Sequence, residues 1–315
     1  MKNNIALLKN AIENSNRIMI LTHSSPDGDA LGSVAALKQI IHKMGKKADC
    51  FLEEICPSRF PHLKEYFTIK ESTDELYDLI ILADCADRSR TGVSYPTPKK
   101  LCFVDHHISN PLDGDINIVV PQAAATAEIM YDLMKAWNIS CDEYIAAAIY
   151  TGILTDTGGF LFQNTTKKTH QIAADLLEYN FDKTAIARIS FQEKSLTYSK
   201  LYAHLFETLY HNKEYCAVIG FTDYDTYCSL GATVEDTEGL SAALRNISGV
   251  ECAVLLTERE KGMIKGSVRS NDKYNANELA GIFGGGGHMR AAGFKTNLSY
   301  EQIKEQIHEW LSTHQ

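Results

Sequence analysis

The first half of the chain alternates short apolar runs with amphipathic stretches. Arg17 to Thr22 (RIMILT), Ala48 to Leu52, Tyr77 to Ala83 (YDLIILA) and Leu101 to Val104 (LCFV) are apolar runs of strand length. Unbroken runs of this kind, without polar alternation, suit strands buried on both faces of a parallel sheet. Ala30 to Met44 carries the periodicity of a helix stopped by Gly45, and Ala123 to Trp137 and Glu143 to about Leu154 read as two more helices. Strands alternating with helices imply an open α/β sheet. From Thr166 to Tyr210 the chain reads as wholly helical and contains no proline. The pattern then changes. CAVIGF, VECAVLLTER and KGMIKGSVRS read as strands, LSAALRNI lies as a helix between the first two, and Asn275 to Ile282 and Ser299 to Trp310 read as helices. The boundary between two α/β regions is expected near residues 190 to 212.

A length of 315 residues, 44% of them hydrophobic, accommodates two domains with separate cores. No stretch approaches the roughly 18 uninterrupted apolar residues of a membrane span, and Met1 to Asn10 lacks the apolar run of a secretory signal. The eight cysteines show no C-x2-C spacing, and several sit in apolar runs, as Cys102 and Cys252 do. They read as buried free thiols in a reducing compartment, and a cytoplasmic protein is the expectation. A net charge of −9 gives no overall field for long duplex nucleic acid. It favours a small or short phosphorylated ligand.

Three of the apolar runs end in chemistry-bearing clusters: His23-Ser-Ser-Pro-Asp27-Gly-Asp29, Asp84-Cys-Ala-Asp87 and Asp105-His106-His107. A fourth, Thr155-Asp156-Thr157-Gly158, follows the run AAAIYTGIL. Each has a bland reading alone: a polar loop at His23, a turn at Pro26–Asp29, a helix cap at Asp84. Together they are far more specific. In an open parallel sheet the carboxyl ends of the strands share one edge, where ligands bind. Three clusters would meet there, and the fourth could join them from a helix end. The carboxylates of Asp27, Asp29, Asp84 and Asp156 would repel one another unless cations intervened. Two divalent ions would balance them. Carboxylate oxygens with imidazole and no thiolate suit Mn²⁺, with Mg²⁺ or Co²⁺ as substitutes.

The glycine run Gly284 to Gly287 could let backbone N–H groups approach an anion. His288 and Arg290 follow, and Ala291 could continue a helix with a phosphate-attracting N-terminus. Arg269 ends a strand and could pair with a second phosphate.

HSSPDGDALGS, ADCADRSR, VDHH and LTDTGGF resemble, in order, the motifs of the DHH phosphoesterases, and GGGGHMRAAGF resembles the glycine-rich loop of their associated C-terminal domain. The resemblance extends from about Arg17 to Phe294 and is strongest to the NrnA-type branch, nanoRNases and 3′-phosphoadenosine 5′-phosphate (pAp) phosphatases. It implies a DHH domain over residues 1–190 carrying the metal centre, a helical linker over 191–212, and a smaller α/β substrate-binding domain over 213–315, with the active site in the cleft between the domains. It implies that His23 and Asp27 hold one metal, that Asp29, His106 and Asp156 hold the other, and that Asp84 bridges them. His107 would lie beside the scissile phosphate, with Asp105 orienting the His pair. Arg269, Gly285, Gly286, Gly287 and His288 would bind substrate. Thr126 and Glu128 also match the family and read as structural.

The implied activity is metal-dependent hydrolysis of short oligoribonucleotides to mononucleotides and of pAp to AMP. Related readings are a phosphodiesterase for linear or cyclic dinucleotides (pApA, pGpG, cyclic di-AMP), a RecJ-like exonuclease, an inorganic pyrophosphatase and a non-catalytic nucleotide sensor. The glycine-rich loop disfavours the pyrophosphatase, the chain length the exonuclease, and the complete ligand set the sensor. Short RNAs and small phosphorylated nucleotides are the expected partners, without long duplex or membrane. The preferred substrate and a homodimeric state are left open.

Overall fold

The apolar runs of the first half become a parallel sheet. Its strands are β1 (Ile18–Leu21), β2 (Ala48–Leu52), β3 (Thr68–Ile69), β4 (Leu79–Ala83), β5 (Lys100–Asp105) and β6 (Ile116–Val119), in the order β3-β2-β1-β4-β5-β6. Every neighbouring pair is parallel. All residues of β1 and β4 are buried, as their unbroken hydrophobicity requires. The strands grow outward in one direction from β1 and in the other from β4. The β1/β4 junction is therefore a topological switch point, where adjacent loops diverge and leave a crevice at the carboxyl edge.

The computed structural model describes residues 2–314, and the chain divides into two units, residues 1–193 and 194–315. In the first unit, α1 (Lys2–Asn14), α2 (Gly28–Lys43), α3 (Thr126–Ala136), α4 (Glu143–Asp156), α5 (Lys167–Leu176) and α6 (Lys183–Ala187) accompany the sheet, and a π-helical turn follows at Arg188–Gln192. The region expected to be wholly helical is thus broken into short pieces. The pattern also missed α1, whose buried face is only Leu8, Ala11 and Ile12, and β6, a four-residue strand that buries only alternate residues.

Glycines set how closely α2, α3 and α4 approach. A Cβ on Gly32 would stand 2.4 Å from the Ala148 carbonyl oxygen, and one on Gly28 2.5 Å from Thr155 Oγ1. At Gly152 a Cβ would lie 2.6 Å from the Ala127 Cβ and 2.7 Å from Asp29 Oδ1. Only hydrogen fits at these contacts, and the result is that the first turn of α2 lies against the last turns of α4.

The second unit contains α7 (Leu196–Glu207), β7 (Tyr210–Asn212), β8 (Ala217–Thr222), α8 (Tyr224–Ser229), α9 (Leu240–Arg245), β9 (Cys252–Glu260), β10 (Met263–Ser270), α10 (Ala276–Gly281), β11 (Gly286–His288), β12 (Ala291–Thr296) and α11 (Tyr300–Thr313). Its sheet runs β11-β12-β10-β9-β8-β7 and is antiparallel except at β8–β9. Leu201 and Leu205 of α7 pack in its core with Val218, Leu240 and Leu244. The helix expected to continue from Ala291 is instead strand β12, because residues 291–296 pair with β10 along their whole length. Among the described residues, no helix is long and apolar enough to cross a membrane.

Candidate metal centre

Asp27 is the N-cap of α2. Its Oδ1 accepts from the backbone N–H of Asp29 and Ala30, both at 3.0 Å, which leaves Oδ2 outside the cap. Asp29 enters the first turn of α2 and is 1% exposed. Its Oδ2 accepts from Thr126 N (2.6 Å) and its Oδ1 from Ala127 N (2.9 Å). Asp29 therefore caps α3 from a distant part of the chain, where the local N-cap Ala125 offers no side chain.

Asp84 follows β4 with φ of +53°, a left-handed conformation that turns the chain sharply at the strand end. It is 2% exposed, and its Oδ1 accepts from the Thr126 hydroxyl at 2.9 Å. Asp156 is the last residue of α4, where the helix dipole disfavours a carboxylate unless a cation stands nearby.

The two histidines are oriented through their Nδ1 atoms. His23 Nδ1 lies 2.9 Å from the Ser24 carbonyl oxygen, and His106 Nδ1 3.2 Å from that of Ala123. With Nδ1–H donating to a carbonyl, Nε2 carries the lone pair, the arrangement usual for a ligating imidazole. His23 Nε2 faces Asp84 Oδ2 at 3.9 Å, and His106 Nε2 faces Asp84 Oδ1 at 3.6 Å and Asp156 Oδ2 at 3.7 Å. Among the described residues three overlapping groups result, His23–Asp27–Asp84, Asp29–His106–Asp156 and Asp84–His106–His107, with the ligand atoms of each within 4.8 Å of one another. The structure thus gathers all six residues singled out as ligands.

Electrostatics shows what this donor set requires. Burial, then Asp27, pushes the Asp84 carboxyl up to about 8, against the opposing pull of His106 and Thr126. Burial and Asp29 push Asp156 up to about 7, and burial with Asp84 raises Asp29. Burial alone would depress His106, but Asp29, Asp84 and Asp156 raise it to about 9. Without added positive charge these groups retain protons. Divalent cations supply that charge, and an all-oxygen and imidazole set fits them.

His107 and Asp105 border this cluster and are held by a hydrogen-bond network of their own. Asp105 is fully buried, and its Oδ1 accepts from His107 Nδ1 at 2.7 Å and from the backbone N–H of His106 and His107. Asn110 Nδ2 donates to Oδ2 at 2.8 Å. Burial would raise this carboxyl, yet the His107 and Asn110 hydrogen bonds outweigh it and hold it low. His107 is thereby fixed with Nδ1 protonated and Nε2 free, and its Nδ1 lies 3.7 Å from Asp84 Oδ1.

In the second unit, Arg269 of β10 and His288 of β11 both pair with Ala291 of β12. Directly paired residues share a face, so Arg269 and His288 flank one small side chain two strands apart. Arg269 is half-buried, and burial followed by nearby Arg245 lowers its pKa. Arg245 is a cation that no sequence motif marked. Arg290, by contrast, pairs with Asp272. The glycine run serves strand pairing: a Cβ on Gly285 would meet the Gly293 carbonyl oxygen at 2.2 Å, and one on Gly287 that of Ala291 at 2.5 Å. The amides of Gly284, Gly285 and Gly287 already donate to Gly281, Ala280 and Asn277. The Arg269 and His288 side chains are therefore the more available anion donors on this face.

A Rossmann-like parallel sheet carrying a carboxylate–histidine metal centre at its switch point defines a class of metal-dependent phosphoesterases. Residues 17–153 match the DHH family, N-terminal domain, and residues 222–313 match the DHHA1 domain. The chain belongs to the DHH family, the family its motifs resemble. It is 33% identical over 305 residues to the bifunctional oligoribonuclease and PAP phosphatase NrnA of Thermus thermophilus, covering 94% of this chain and 90% of that protein. It is 31% identical over 284 residues to the protein of the same name from Bacillus subtilis, covering 88% of each. The fold is also that of an exopolyphosphatase-related protein from Bacteroides fragilis, with a TM-score of 0.89, 24% identity and coverage of 99% and 96% of the two chains.

Proposed function

We propose that the chain is a two-metal phosphoesterase that hydrolyses oligoribonucleotides of a few residues, releasing mononucleotides, and converts pAp to AMP. The observation that carries this reading is the pair of ligand groups, His23–Asp27–Asp84 and Asp29–His106–Asp156, lying next to each other with Asp84 Oδ1 3.6 Å from His106 Nε2, and the Asp105–His107 pair beside them. The names of the Thermus and Bacillus relatives supply the substrate class. His23, Asp27 and Asp84 would hold one divalent cation, and Asp29, His106, Asp156 and Asp84 the other. Mn²⁺ is the ion that carboxylates mixed with imidazole favour. Such ions supply the positive charge that activates water and neutralises phosphate oxygens.

The chain's own residues do the rest. Asp105 holds the His107 ring with Nδ1–H toward its carboxylate, so Nε2 would first accept the proton released by the attacking water. The imidazolium so formed, stabilised by Asp105, would donate its Nε2–H to a phosphoryl oxygen or hand that proton to the leaving oxygen. Arg269 and His288 are the second unit's candidates for gripping a further phosphate. The eight free cysteines support action in a reducing, cytoplasmic setting.

A product assay tests the reading. EDTA-treated protein is expected to be inactive and to recover with Mn²⁺. The restored enzyme should release mononucleotides from RNAs of about two to five residues, turn pAp into AMP, and slow steeply on a 24-mer, since an acidic chain offers no long basic track. Full activity in EDTA would sink the metal-dependent reading. Faster degradation of the 24-mer than of a 3-mer would replace the short-substrate reading with an exonuclease of RecJ type.

A further inference from the structure

Immediately after Asp156 the chain makes an unusual turn. Gly158, Gly159 and Phe160 have φ of +56°, +70° and +68°, three consecutive left-handed residues, the last carrying a side chain. The turn is firmly held. Phe160 N donates to Thr157 Oγ1 at 3.1 Å, and the amides of Leu161 and Phe162 both donate to the Thr157 carbonyl at 3.0 Å. Asn164 Nδ2 closes the loop onto the metal centre, donating to the Asp156 carbonyl (3.1 Å) and to that of Ala124 (2.9 Å).

This geometry divides the apolar side chains. Phe160 turns inward and stacks on His170 with ring centroids 5.1 Å apart. Phe162 turns outward and is 54% exposed, although its ring lies against Gly158, where a Cβ would stand 2.5 Å away. Phe191, in the π-helical turn, is 41% exposed and lies against Gly159. Ile108, the residue after His107, is 86% exposed. Rigid, exposed aromatic rings beside a cluster of carboxylates contribute nothing to the core. They suit a ligand that joins a charged group to a flat apolar one.

We propose that Phe162, flanked by Phe191, is the stacking platform for the nucleobase of the nucleotide whose phosphate is held at the Asp156 end of the metal centre. The inference rests on the nucleotide reading above. A base has a π-face whatever its identity, so such a platform binds without reading sequence. The strained, hydrogen-bonded turn holds the ring in place before substrate arrives, which removes part of the ordering cost of binding. Phe162 is a positioning and affinity residue that takes no part in the chemical step.

The test compares an adenine dinucleotide with the same molecule lacking one or both bases, using Mn²⁺-loaded wild type, Phe162→Ala, Phe162→Tyr and Phe191→Ala. Phe162→Ala is expected to raise KM for the base-bearing substrate about tenfold or more with kcat within about twofold. Its effect on the abasic substrate should be far smaller, and Phe162→Tyr should restore the wild-type KM. Phe191→Ala should give a weaker effect of the same kind. Equal losses on base-bearing and abasic substrates would overturn the platform while leaving the nucleotide reading intact. An unchanged KM with loss of a dimer on sedimentation would overturn it in favour of a self-association surface. A wild-type enzyme that ignores both nucleotides and cleaves inorganic pyrophosphate would instead remove the nucleotide reading itself.

Discussion

Two carboxylates in the centre do more than offer oxygen atoms. Asp29 closes the open N-terminus of α3, and in the same structure Thr126, the first residue of that helix, donates its hydroxyl to Asp84. The two ligand groups are therefore tied together through one helix start. Thr126 is fully buried, so its hydroxyl has no water to replace the bond. Thr126→Val keeps the shape and removes the donor. It should weaken apparent Mn²⁺ affinity about 10- to 100-fold, the usual cost of losing a partner that orients a ligand, and lower stability by about 1–3 kcal/mol. Thr126→Ser should recover most of both. Metal titration of activity and thermal melting read the two effects, and unchanged Mn²⁺ affinity in the valine variant would reduce Thr126 to a packing role. This residue also marks a limit of sequence reading: the family resemblance singled it out, but only as structural, and its bond to Asp84 was not legible. Aspartates and histidines at the ends of apolar runs announce themselves, whereas Thr126 lies in a small-residue stretch, and its contact with Asp84 spans 42 positions. Asn110 and Asn164 escaped notice altogether, because their roles are long-range or loop hydrogen bonds that no periodicity encodes.

At the scale of elements, the parallel strands and long helices follow directly from the hydrophobic pattern, because burial on both faces leaves an unbroken apolar run. Elements with a narrow buried face, such as α1 and β6, leave a weak pattern, and the glycine run was ambiguous because the same residues suit a loop, a helix start or a crowded strand. Its pairing with β12 decided the matter. The approach of α2, α3 and α4 was equally invisible, since it depends on hydrogen atoms at Gly28, Gly32 and Gly152 lying opposite particular atoms. Gly152→Ala isolates this packing. Alanine is the better helix former by about 1 kcal/mol, yet its methyl would collide with Ala127 and with Asp29 Oδ1. Overpacking of that kind costs about 1–3 kcal/mol, so the net change should be destabilising, and the displaced Asp29 should reduce activity more than the loss of stability accounts for. Circular-dichroism melts and Mn²⁺-saturated rates measure both. A variant as stable and as active as wild type would mean that the helices separate without disturbing the centre.

Across the whole molecule, each unit has its own core and its own charged cluster: acidic with histidine in the first, Arg269, Arg245 and His288 in the second. Arg269 is half-buried near Arg245, donates from Nη1 to the Val268 carbonyl, and shares a sheet face with His288, a placement that suits an anion. A phosphate there would offset the two neighbouring positive charges and could accept two hydrogen bonds from the guanidinium. Removing that donor should therefore affect substrates by how many phosphates they carry rather than by how readily their ester bond breaks. Arg269→Ala is expected to raise KM for pAp about 10- to 100-fold, the worth of a lost charge-assisted contact of about 1.5–3 kcal/mol. Turnover of a simple aryl phosphate monoester should change little, because it lacks the second phosphate. Arg269→Lys should recover only part of the loss, since an ammonium keeps the charge but not the planar fork. Steady-state kinetics on the two substrates separate the cases. Equal losses on pAp and on the aryl ester would show that Arg269 supports the fold of its sheet instead of gripping the nucleotide, and the assignment of substrate recognition to the second unit would fall with it.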